Sequence, residues 1–219
     1  MKPMMKSSLP VLALSAVLFA PGGAARADAT ADAVRVIQQG WERITYQSPS
    51  NEHERQLEAL AAEARRVAEA NPGRAEPLIW EGIVISSLAG AKGGLGALGL
   101  VKQARVKYEA AMKIDDKALD GSAYNSLGVL FYKVPGWPIG FGDKKKADEL
   151  LNKALKMNPD GIDPNYFYGD YLLETGRPRD ALPYLERAVN APSRPGRDVA
   201  DKGRRTEAMT LLEKARAQM

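Results

Sequence analysis

The chain has 219 residues, with 31 Lys and Arg, 27 Asp and Glu, one His, no Cys and a formal net charge of +4. The absence of cysteine excludes disulfides and thiol chemistry, and the lone His53 cannot by itself assemble a metal site. A nucleic-acid footprint needs a clustered basic face; Lys144-Lys145-Lys146 and Arg204-Arg205 read instead as solvated helix faces.

Residues 1–27 read as a secretory signal peptide. Lys2 and Lys6 form a basic start, Leu9 to Ala20 is an apolar run too short to span a bilayer, and Ala25-Arg26-Ala27 is a small-x-small cleavage site. Cleavage after Ala27 removes Lys2, Lys6 and Arg26 but no acid. That leaves 28 basic against 27 acidic residues, or +1. The expectation is a periplasmic protein with no membrane span after cleavage. Residues 28–219 are long enough to form a single core.

Val34, Ile37, Trp41 and Ile44 recur at helical spacing and predict a helix over 31–46. Asn51 with Glu54 resembles a capping box opening a second helix to about Ala70, where Asn71-Pro72-Gly73 stops it. These two make a hairpin over 31–70.

A second hairpin, 75–116, opens at Ala75-Glu76-Pro77, with proline suited to a first helical turn. Its helices are marked by Leu78, Gly82 and Ile85, then Ala104, Tyr108 and Ala111. Between them lies the Gly-rich run Gly90 to Gly99, which reads as a mobile apolar loop. Gly94-x-Gly96-x-x-Gly99 matches the dinucleotide fingerprint. That motif works only at a strand-to-helix turn within a βαβ unit, and no strands flank it here.

Two further hairpins, 122–159 and 163–190, follow. Ala147 and Ala181 lie 34 residues apart, as do Ala154 and Ala188. A fixed period of this size marks a stacked helical-hairpin array. Gly169 to Ala181 is 12 residues, whereas Gly128 to Ala147 is 19. The seven-residue excess is the aromatic, Pro-rich stretch from Tyr132 to Asp143, and Asp143 can cap the helix behind it. After Ala191-Pro-Ser-Arg-Pro-Gly196, a helix over 198–218 reads as a charged, solubilising cap on an open-ended stack.

Leu127-Gly128, Phe131, Ala147, Leu151, Ala154 and Pro159 resemble the skeleton of the tetratricopeptide repeat (TPR) family. Gly169, Leu172, Ala181, Leu185 and Ala188 repeat that pattern. The resemblance implies an all-α fold, a TPR-like superhelical stack of antiparallel helix hairpins with a C-terminal capping helix. More narrowly, Pro135…Gly140-Phe-Gly-Asp143-x-x-x-Ala147 in an exported chain is similar to the periplasmic T-component family associated with TRAP-type solute transporters. That likeness implies a non-catalytic helper binding a hydrophobic or carboxylate-bearing solute, or a solute-binding partner protein.

In such arrays the concave face, lined by the first helix of each hairpin, is the binding surface. Counting from the glycines gives groove positions Ile79, Ile83 and Ser86; Asn125, Val129 and Tyr132; and Tyr166, Asp170 and Leu173. Trp137 and Phe141 are expected either to fold over the groove and close a pocket with Tyr132 and Tyr166, or to pack on neighbouring helices. The candidate ligand-binding set is therefore Asn125, Val129, Tyr132, Trp137, Phe141, Tyr166 and Asp170. No cofactor and no catalytic constellation is expected, because no nucleophile has a base beside it and no metal-ligand cluster is legible. Two functions remain open: solute binding in aid of transport, and a scaffold for envelope-protein assembly without a small ligand. Homo-oligomerisation is left open too.

Overall fold

The computed structural model describes residues 22–219, with side chains from residue 29 onward. The basic start and apolar run of the expected signal peptide lie outside the described residues. Nine α-helices and no strand are found among the described residues: α1 Gly22–Gln47, α2 His53–Ala70, α3 Ala75–Lys92, α4 Gly94–Ile114, α5 Ala118–Lys133, α6 Lys144–Met157, α7 Ile162–Glu174, α8 Pro178–Asn190 and α9 Asp198–Ala217. None of them is long and apolar enough to cross a membrane.

The helices pair because each meeting point places a small residue against a large one. A Cβ added at Gly82, Gly128 or Gly169 would fall 2.5 Å from Tyr108, 2.8 Å from Leu151 or 2.6 Å from Leu185. Glycine at these three points removes the only atom that would keep the paired backbones apart. The partners Tyr108, Leu151 and Leu185 are themselves 1%, 0% and 0% exposed, so they fill the space fully. This is the physical content of the 34-residue spacing.

Three local expectations need correction. The Gly90–Gly99 run is helix, not loop: α3 continues to Lys92 and α4 begins at Gly94, with only Gly93 (φ 63°) breaking the chain. Alanine and leucine within the run carry the helices onward despite the glycines. The Asn51–Glu54 capping box does not form, because a 3-10 turn over Ser50–Glu52 leads into α2 without a side-chain cap. Finally, Arg204 is not solvated: its side chain is 12% exposed and ion-paired.

Asp143 does cap α6, its Oδ1 accepting from the Lys146 amide at 3.0 Å. Lys144, Lys145 and Lys146 crowd the positive end of the helix dipole, which gives this carboxylate added weight. Asp143→Ala is expected to cost about 1 kcal/mol in urea unfolding.

The layers set up the site. Helices α1, α3, α5, α7 and α9 form an inner layer in which each touches the next, while α2, α4, α6 and α8 lie outside. The C-terminal helix packs on α7 and α8 as the last helix of the stack, and it also meets α1. Ala200 of α9 joins Val34, Ile37, Trp41 and Ile44 of α1 in one buried cluster. At Gly203 an added Cβ would lie 2.3 Å from the Tyr46 ring, so the helices touch there without a side chain between them. The inner layer therefore closes on itself instead of ending open.

Candidate functional site

Closure turns the concave face into a chamber of about 620 Å³. Its aromatic wall comes from Trp41 and Tyr46 of α1, Trp80 of α3, Tyr108 of α4 and Phe167 of α7. Trp41 and Trp80 meet edge to face with ring centroids 6.0 Å apart. Polar groups are set among the rings. Trp41 Nε1 donates to Ser87 Oγ at 2.8 Å, and Ser86 Oγ lies 3.0 Å from Tyr108 Oη. Burial pushes the phenols of Tyr46 and Tyr108 up, so both stay protonated.

Two groups in this wall stand apart. Trp80 is 4% and Asn125 5% exposed, yet Trp80 Nε1 and Asn125 Oδ1 have no hydrogen-bond partner among the described residues. Both residues line the chamber. Buried polar groups are nearly always paired, so two orphans in one cavity wall point to a function for that wall.

The chamber is shut by a charged clasp. Asp163, in the first turn of α7, receives Arg194 Nη1 at 2.6 Å and Arg204 Nε at 2.9 Å. Arg194 also reaches Asp201 at 2.6 Å, and Arg204 reaches Glu207 at 2.6 Å. Arg197 pairs with Glu42 of α1 and lies over the Trp80 ring at 5.2 Å. The Arg204 guanidinium sits over Tyr166 and Phe167, at 4.5 and 4.6 Å. The linker from Ala191 to Gly196 and the start of α9 are thereby tied to both α7 and α1.

Burial alone would raise the Asp163 carboxyl, but Arg204 and Arg194 outweigh it and hold the group down at about 2, against an ordinary 3.8. The unfolded chain then binds the proton more readily than the folded one. Asp163 contributes stability above the ordinary value, and that contribution is lost as pH falls through about 2. Melting temperatures followed downward from pH ~5 are expected to fall more steeply in the wild type than in Asp163→Asn, which has no such group to titrate.

The seven residues expected from the sequence divide between separate places. Asn125 and Val129 line the chamber. Tyr132 is buried in the seam between α5 and α7, its hydroxyl donating to Asp170 Oδ2 at 2.8 Å. Asp170 also takes an ion pair from Lys133 at 2.8 Å, so its carboxylate is occupied there. Tyr166 lies beneath Arg204 at the clasp.

The aromatic lid is not assembled. Phe141 packs edge to face on Phe131 at 5.6 Å with the Arg105 guanidinium 5.1 Å above it, while Trp137 is 90% exposed. The cause lies at the loop's base. The Asp143 amide donates to Phe131 O at 2.8 Å and the Gly142 amide to Pro135 O at 2.9 Å, which pinches residues 136–141 into a tip outside the chamber. The sequence reading missed Trp41, Trp80, Phe167 and the clasp. Arg197 and Arg204, seven residues apart on one helix beside acids on α7, were the available signal.

Comparison with known proteins gives one family match: residues 139–160 match the tetratricopeptide repeat model. No match is found among curated proteins. Among solved structures the chain is similar to a thermophilic TPR protein of Thermus thermophilus, at 15% identity and a TM-score of 0.42, over 83% of this chain and 99% of that one. The chain thus carries a tetratricopeptide repeat, set within an all-α superhelical stack of helix hairpins.

Proposed function

We propose that this is an exported, non-catalytic binding protein whose closed concave face holds a small organic ligand. The observation that carries this reading is the chamber itself: about 620 Å³, walled by aromatic rings and supplied with buried polar groups lacking partners. Drug-sized ligands occupy cavities of roughly 300–1,000 Å³ with this composition of wall. The signal-type start, Lys2 to Ala27, supports a periplasmic setting. The likeness of Pro135 to Ala147 to the transporter-associated family supports a role in solute uptake.

A second reading, a scaffold for other envelope proteins, is favoured by one observation. Trp137 and Ile139 are 90% and 60% exposed at the tip between α5 and α6, where a partner could cover them. Native mass spectrometry of protein purified from the periplasm separates the two. A bound small molecule, lost when Ser126→Trp fills the chamber, is the expected result. A stoichiometric polypeptide, lost in Trp137→Ser, would establish the scaffold in its place.

A further inference from the structure

Resting on the reading of the chamber as a binding site, we infer that its ligand is an uncharged, ring-bearing molecule with a hydroxyl or amide, not a carboxylate, phosphate or cation.

The charges of the wall support this first. Arg194, Arg197 and Arg204 are the cations that line the chamber among the described residues, and each is already ion-paired. Their partners are Asp163, Asp201, Glu42 and Glu207, so three cations meet four carboxylates. Asp120 and Asp160 add further acid to the lining. An anionic ligand would find no unengaged cation and would have to displace one of these pairs, exchanging one carboxylate for another with no gain in charge.

A cation is disfavoured for a different reason. The attractive ring faces of Trp80 and Phe167 already carry Arg197 and Arg204. An ammonium also has no lone pair for the Trp80 indole, which can only donate.

The two unpartnered groups define what does fit. Trp80 Nε1 is a fixed donor, and the Asn125 amide offers an acceptor and a donor. A hydroxyl or carboxamide supplies both halves, accepting from Trp80 and donating to Asn125. The remainder of the wall, Trp41, Ile83, Val129 and Phe167, suits an apolar ring system.

The test is isothermal titration calorimetry at neutral pH with four naphthalene-based probes: 2-naphthol, 2-naphthoate, 2-naphthylmethylammonium and naphthalene. Naphthol is expected to bind at least about tenfold more tightly than either ion, since only it satisfies the buried polar pair. Trp80→Phe is expected to weaken naphthol about tenfold and leave naphthalene unchanged. Asn125→Leu, a second variant on a different helix, is expected to act likewise and stands in if Trp80→Phe does not fold. Equal or tighter binding of naphthoate or of the ammonium overturns the ligand class while leaving the chamber a binding site. If none of the four binds, and the apolar dye N-phenyl-1-naphthylamine gains no fluorescence, the binding-site reading itself fails.

Discussion

Arg204→Ala is expected to lower the free energy of unfolding by about 3–5 kcal/mol, the range for breaking a buried ion pair from one side. The Arg204 side chain is 12% exposed, serves both Asp163 and Glu207, and covers the rings of Tyr166 and Phe167. Truncation leaves those carboxylates facing each other across a space that the guanidinium filled. Lysine restores the charge but not the planar fork that spans two acids and lies flat on two rings, so Arg204→Lys should recover only part of the loss. Urea unfolding at neutral pH checks both variants. The clasp joins α9 to α7, so ligand affinity should fall in step with stability.

Gly82→Val is expected to cost about 2–3 kcal/mol, near the upper end for overpacking a core. The added Cβ alone would lie 2.5 Å from the Tyr108 ring, and valine adds two methyl groups beyond it. That ring is 1% exposed and its hydroxyl lies 3.0 Å from Ser86 Oγ, which leaves little room to yield. The helix-propensity gain of up to about 1 kcal/mol on replacing glycine only partly offsets the clash. Tyr108 also lines the chamber, so thermal melts should show the loss while calorimetry shows weaker binding.

These two residues illustrate what the sequence made legible. Gly82, Gly128 and Gly169 announce themselves because each needs a large partner at a set distance along the chain, and that requirement recurs with the repeat. Asn125 and Val129 are found by counting from the same glycines. Tyr132 and Asp170 were counted onto the groove as well. One further turn along α5, however, carries the side chain into the seam with α7, where the tyrosine hydroxyl and the carboxylate satisfy each other.

Closure of the stack was not legible, because it depends on residues far apart in sequence. Glu42 and Arg197 are 155 positions apart, and nothing local marks either one as the other's partner. The Arg-rich face of α9 has the composition of a solvated surface. Only its position against Asp163 and Glu42 makes it a buried clasp. Trp137 misled for the converse reason. A tryptophan among prolines reads as a packed ring, but the backbone bonds at Phe131 and Pro135 turn it outward.

The central claim is that α9 meets α1 and shuts the chamber. The cysteine-free chain allows a direct test, with nitroxide labels placed through Gln39→Cys on α1 and Asp198→Cys at the start of α9. Both positions are exposed and border the same shallow depression between the two helices. Closure predicts strong dipolar broadening of the continuous-wave spectrum in the doubly labelled protein relative to the summed single labels. It also predicts that Gly203→Leu, which drives a side chain into Tyr46, weakens that broadening. Spectra of the double label that match the sum of the singles would contradict the account, because α9 would then stand away from α1 and leave the stack open.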